Sequence, residues 1–404
     1  YNNLSYKISL MKINLNLKIE NLPEKKEKIE IVERKGLGHP DTICDLLVDH
    51  LSVRLSQIYQ KEFGVIPHFN IDKALLAAGE TKNRFGGGKI IKPMLFVIGD
   101  RATEKVGKKK INLGKIIKKE IYSFLKKNYR FLNKKNFIIQ NEIKPGSSSL
   151  QDIFQRQEKF LPANDTSALV GYYPLTQLEK IVLATEKFIN SQEFKKIFPE
   201  TGEDVKIMGW REKEKIYLIG AIAFVDKFIK NESDYFDKKE KVRQAVLAYI
   251  EKEFKQKVSF EINTLDKEGR GISGCYLTVT GTSADSGDSG QVGRGNRANG
   301  LIPLNRVAGS EAAAGKNCVS HVGKIYNLLS FKLAKEIYQG TGKKNTVWLI
   351  SKIGHPVNQP ALVSVGVENL KRSDYKTIEQ IINNNFMNLH FFINNLILGK
   401  FKTQ

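Results

Sequence analysis

The chain has 404 residues, long enough for two or three domains with cores of their own. Apolar residues make up 41% and charged residues 27%, the balance of a globular protein, and no run reaches the roughly 18 uncharged apolar residues of a membrane helix. With 65 basic and 43 acidic side chains the formal charge is +22, which suits a polyanionic substrate or a nucleic-acid partner. Residues 1–27 read as a polar N-terminal extension, without the apolar core of a signal peptide. Ile29 to Val32 is short and apolar, and Pro40 opens a helix in which Ile43, Leu46, Leu47, Leu51, Leu55 and Ile58 recur at helical spacing. Leu75 to Ala78 and Met94 to Ile98 read as strands about a turn at Gly86, Gly87 and Gly88.

A basic helix is expected over 114–127, where lysines flank an apolar stripe of Ile117, Ile121 and Phe124. That pattern is the solvated face of an amphipathic helix, and no aromatic-plus-basic RNA motif or Cys/His finger accompanies it, so the charge does not call for nucleic acid. Leu178, Ile181, Val182 and Phe188 predict a further helix, Ile216 to Val225 a buried strand, and Val242, Val246, Ile250 and Phe254 a third helix. Phe260 to Ile262 and Tyr276 to Val279 alternate as strands do. A loop rich in Gly, Ser, Asp and Asn spans 281–300. Ile325 to Leu333 reads as helix, Val347 to Ile350 and Ala361 to Val367 as strands, and 377–399 as a helical tail. The order is α+β with mixed connections and lacks the beat of a doubly wound parallel sheet. Cys44, Cys275 and Cys318 are few and far apart, which fits a reducing, cytoplasmic setting.

Four loops carry chemistry. In Glu33 to Asp41, Gly36 and Gly38 allow close backbone approach and Pro40 starts a helix. His39 and Asp41 then stand at a helix N-terminus, where N–H groups favour phosphate, and Asp41 is a hard oxygen ligand for magnesium. Read blandly, Asp41 only caps the helix. Ala163 to Ser167 is, by itself, an Asx turn before a helix. In 285–297, four glycines, Arg294 and Arg297 form a nest for phosphate oxygens. In 309–317, five residues separate Gly309 from Gly315, and Asn317 follows Lys316, so the P-loop pattern is missed while Lys316 and Lys324 still offer point charges.

With these motifs in view, the chain resembles the S-adenosylmethionine synthetase family, in its archaeal-type branch. The resemblance runs from about Glu33 to Glu368 and rests on GLGHPD at 36–41, FGGG at 85–88, ANDTS at 163–167, GDSGQVGRGNRANGLIPLNR at 287–306 and the GKN…HVGKIYN stretch ending at Asn327. It implies three intertwined, discontinuous α+β units: 28–37 with 176–283, 38–140 with 284–322, and 141–175 with 323–404. It also implies a homodimer with interfacial active sites that uses ATP, L-methionine, Mg2+ and K+.

Carried over motif by motif, His39 is the catalytic histidine that assists departure of the triphosphate oxygen. Lys206, in Asp204-Val205-Lys206, and Arg294 stabilise polyphosphate. Asp41 is a magnesium ligand and Glu80 a potassium-linked acid. Asp288 meets methionine. Glu33, Gly38, Asp165, Gly290, Gly293, Arg297, Gly315, Lys316 and Lys324 line the ATP and phosphate site. Relative to the bacterial branch, a second magnesium aspartate is missing near His321, and Gly295 stands where that branch has lysine. The implied reaction is attack of methionine sulfur on the ribose 5′ carbon of ATP, followed by triphosphate hydrolysis to phosphate and pyrophosphate. The alternatives are another ATP- or polyphosphate-using transferase, or a basic nucleic-acid-binding protein.

Overall fold

A computed structural model describes residues 14–24, 27–146, 154 and 160–401. Residues 1–13 and 25–26 of the expected extension lie outside the described residues, as do 147–153, 155–159 and 402–404. Leu17–Leu22, inside that extension, is a correction to the sequence reading: it forms an edge strand parallel to Leu362–Glu368.

Three sheets organise the chain, each with its own apolar core. The first runs Val258–Ile262, Lys215–Val225, Thr201–Glu212, Ile29–Lys35 and Ile302–Pro303, with Leu277–Thr278 added beside Lys215–Val225. Period-two burial explains its strands. Val205 and Ile207 are buried under the helix Gln177–Ile189, while Lys206, Met208 and Trp210 lie on the other face and are only half-buried. The register sets Lys206 opposite Lys35 and Met208 opposite Glu33.

The second sheet runs Gly290–Gln291, Phe69–Ala77, Met94–Ala102 and Phe137–Asn141. The helices Pro40–Phe63 and Leu113–Asn128 share its core through Ile43, Leu47, Leu51, Ile117 and Ile121. The third runs Leu17–Leu22, Leu362–Glu368, Asn345–Ile350 and Ala168–Tyr173, covered by the helix Val322–Thr341. The expected helical tail is two helices, Arg372–Met387 and Leu389–Ile397, broken at Asn388. Each sheet draws on distant stretches of the chain. Loops between neighbouring strands in sequence therefore run from one core to the next, and this brings the Gly-rich segments together.

Candidate active site

The segment Gly36 to Asp41 bridges the first two cores. Gly36 N–H donates to Val205 O at 2.6 Å and Gly38 N–H to Glu203 O at 2.8 Å, so the loop lies against the start of the strand that carries Lys206. A Cβ on Gly38 would stand 2.4 Å from Asp204 N, which is why only glycine fits. The helix that follows is capped by His39 rather than Asp41: the His39 Nδ1 accepts from Asp41 N–H at 3.2 Å, with Pro40 in the first turn. The imidazole proton is therefore on Nε2. Burial pushes His39 down to about 4; Asp41 opposes this, and Lys35 and Lys206 add to it. At neutral pH the free site thus presents a neutral N–H donor beside two ammonium groups.

Asp41 ties this helix start to the second Gly-rich loop. Its Oδ1 accepts from Gln291 N–H at 2.9 Å, and its Oδ2 accepts from Lys35 Nζ at 2.9 Å. Lys35 Nζ also reaches the backbone carbonyl of Arg294 at 2.6 Å. One turn along the helix, Asp45 accepts from Gly293 N–H at 2.8 Å. The loop lies so close that a Cβ on Gly290 would be 2.2 Å from the Pro40 carbonyl carbon. Lys206 Nζ stands 3.4 Å from Glu33 on the neighbouring strand. Glu33, Gly38, His39, Asp41, Lys206, Gly290, Gly293 and the Arg294 backbone thus form one assembly, with the Arg294 side chain exposed.

Asp288 and Glu80 join its margin. Gly79 N–H donates to Ala284 O, and Ala78 N–H to Ser289 Oγ, so the Glu80 turn abuts the Asp288 loop. Asp288 Oδ2 lies 3.3 Å from Ser283 Oγ. Glu80 itself is exposed, 3.8 Å from Lys92. Burial pushes the nearby Asp204 carboxyl up to about 7; Ser283 opposes this, and Asp288 and Asp285 add to it.

Other expected site residues lie apart from this assembly within the chain. Arg297 lines a cavity of ≈ 260 Å³ with Gly309, Ser310 and Glu311, which the assembly borders through Gly293. Asp165 lines a second cleft of ≈ 500 Å³ with Asp72, Asn317, Ser320 and His321, and Glu311 borders both. Lys316 Nζ is buried between Asp72, 2.7 Å away, and Glu311, 3.2 Å away, and the Gly315 carbonyl accepts from Ile71 N–H at 3.0 Å. Lys324 is a correction: expected on phosphate, it is fully buried, with Nζ on Asp49 at 2.7 Å and Ser52 at 2.8 Å. Asp49 already neutralises its charge.

Sequence reasoning passed over Lys35, Asp45 and Asp72. Two of these had a readable signal. Lys35 falls two residues after Glu33 and hence on the same strand face; Asp45 falls four after Asp41 and hence on the same helix face. Asp72 is paired with Lys316 across 244 positions, which no local pattern reveals.

Among the described residues no three His, Cys, Asp or Glu side chains gather into a metal cage. The donor set still fits magnesium carried by a polyphosphate. That ion keeps water and substrate oxygens and needs only one or two carboxylates. Asp41 is a buried carboxylate with a free lone pair on each oxygen after its two bonds.

Known proteins share this chain's sequence pattern and fold. A family model described as S-adenosylmethionine synthetase matches residues 12–400. A probable S-adenosylmethionine synthase of Aquifex aeolicus is 45% identical over 366 residues, covering 89% of this chain and 90% of that protein. The S-adenosylmethionine synthases of Pyrobaculum neutrophilum and Thermococcus onnurineus are each 43% identical, over 87% and 90% of this chain and 89% and 92% of theirs. A solved structure of an unusual S-adenosylmethionine synthetase from Campylobacter jejuni shares the fold, with TM-score 0.58 at 16% identity and 89% of each chain covered.

Proposed function

The chain belongs to the S-adenosylmethionine synthetase family, in its archaeal-type branch, and is a methionine adenosyltransferase; from that premise we propose that the assembly around His39 and Asp41 is its catalytic centre. The single observation that carries this reading is the convergence of His39, Lys206, Asp41 and the 290–294 loop from three distant stretches of sequence. The reaction joins ATP and L-methionine. Sulfur attacks the ribose 5′ carbon in line with the departing triphosphate, which is then hydrolysed to phosphate and pyrophosphate.

Sulfur is a good neutral nucleophile, so the chain needs no general base. The difficulty lies in the leaving group, with about four negative charges, and catalysis is alignment and charge stabilisation. Neutral His39 donates Nε2–H to the departing oxygen. Lys206 and Arg294 neutralise the chain of phosphates, with Lys35 beside them. The backbone N–H groups of 290–297, together with Arg297, Gly315, Lys316 and Asp165, bind the rest of ATP, and Asp288 holds methionine. Magnesium is the metal cofactor; Asp41 would hold it, and when bound it offsets phosphate charge. Glu80 is the acid that would face a potassium ion.

We further propose a homodimer with interfacial sites. Ile31, Met208, Trp210, Tyr217 and Ile219 lie half-exposed or exposed on one face of the first sheet, the face that also carries Glu33 and Lys206. A two-chain site accounts for the separate cleft lined by Asp165, Asn317 and His321. The boundaries proposed for the three units are 28–37 with 176–283, 38–140 with 284–322, and 141–175 with 323–404; most strands divide among the three sheets in that way, while Ile302–Pro303 joins the first sheet and Leu17–Leu22 the third. Three free cysteines suit a reducing cytoplasm.

The test is incubation with ATP, methionine and magnesium, followed by mass detection of S-adenosylmethionine. His39→Ala is expected to lower its formation by roughly two to four powers of ten. Near-normal turnover in that variant removes His39 from the mechanism.

A further inference from the structure

Asp204 is almost wholly buried, and its carboxylate is hydrogen-bonded to Ser283, in the loop that carries Asp288. Its Oδ2 accepts from Ser283 N–H at 2.9 Å and from Ser283 Oγ–H at 2.6 Å. Its own backbone N–H donates to Gly281 O at 2.9 Å. Thr282, between them, donates its hydroxyl to Gly38 O at 2.6 Å. Turn 281–283 is thus fastened both to the strand that carries Lys206 and to the loop that carries His39. Asp288 hangs from the same turn: its N–H donates to Ser283 O, and its Oδ2 lies 3.3 Å from Ser283 Oγ.

A serine hydroxyl has one proton to give. Asp204, at 2.6 Å, takes it in preference to Asp288, at 3.3 Å. Asp288 is therefore held in place while its carboxylate keeps its acceptor capacity. A carboxylate with open acceptor positions suits an ammonium group, such as that of an amino acid.

We propose that Asp204 is a positioning residue for methionine: by claiming the Ser283 hydroxyl it fixes Asp288 relative to Lys206 and His39 and leaves the Asp288 carboxylate open to the amino group. This rests on the reading that Asp288 meets methionine. Asp204 acts through Ser283 and touches no substrate. The predicted signature is selective. The methionine step depends on the clamp, whereas hydrolysis of added triphosphate does not require Asp288.

The experiment measures full-length Asp204→Asn, Ser283→Ala, their double variant and Asp288→Asn. The readouts are KM for methionine, KM for ATP, and hydrolysis of added triphosphate in the absence of methionine. Asp204→Asn and Ser283→Ala are each expected to raise methionine KM about tenfold, the loss of one hydrogen bond to a charged group. ATP KM and triphosphate hydrolysis should move by less than about twofold, and the double variant should match the worse single variant, since both remove one clamp. If Asp204→Asn does not fold, Ser283→Ala carries the same comparison. Proportional loss of all three activities, or multiplicative effects in the double variant, overturns the proposal. Unchanged methionine KM in Asp288→Asn removes the reading of Asp288 and this inference with it. A raised value there, with normal values in Asp204→Asn and Ser283→Ala, overturns the inference alone.

Discussion

Lys195 illustrates how a single charged side chain is tolerated inside a core. It is fully buried, and its Nζ donates to Gly202 O at 2.6 Å and Thr201 Oγ1 at 3.1 Å. Burial pushes its pKa down to about 7, with Glu203 opposing. The folded pKa lies below the unfolded value of 10.5, so between pH 7 and 10.5 the unfolded chain binds more protons and stability rises with pH. Lys195→Met removes the group that must shed its proton. Its melting temperature is expected to exceed that of the parent most at neutral pH, with the gain shrinking toward pH 10. A gain independent of pH in thermal unfolding scans would show that Lys195 is buried at no protonation cost.

At the scale of elements, the contact between the 290–294 loop and the helix that starts at Pro40 decides the geometry of the site. Gly290 is the closest approach: an added Cβ would meet the Pro40 carbonyl carbon at 2.2 Å, and both partners are backbone. Gly290→Ala is expected to destabilise the fold by about 1–3 kcal/mol and to lift Gln291 N–H from Asp41, lowering activity as well. Gly114→Ala is the control, since a Cβ there meets nothing nearer than 3.8 Å. Equal stability of the two variants in chemical denaturation would mean that the loop adjusts freely.

At the scale of the whole molecule, three cores hold three sheets while the site loops pass between them. The open face of the first sheet bears Trp210 stacked on Tyr217, ring centroids 4.9 Å apart, beside Met208 and Ile219. Such a contiguous apolar face suits a second copy of the chain. Met208→Arg is expected to give a monomer in light scattering and to abolish S-adenosylmethionine formation, because charge repels charge across a twofold contact and splits the site. A fully active monomer, parent or variant, would rule out the two-chain site.

Local sequence was enough for the helix opening at Pro40 and the period-two strand Lys215–Val225, since each signal lies within a few residues. It placed His39 and Asp41 at the start of that helix, where the structure makes His39 the cap and leaves the Asp41 carboxylate to Lys35 and Gln291. It could not foresee that Lys35 bridges Asp41 to the Arg294 carbonyl, that Asp72 and Asp49 pair with Lys316 and Lys324, or that Leu17–Leu22 joins a sheet with residues 346 positions away. Side-chain periodicity is a property of neighbouring residues and is written in the chain itself. Which charge is paired and which is left for a ligand depends on distant segments meeting at ångström range, and only the packed tertiary structure decides that.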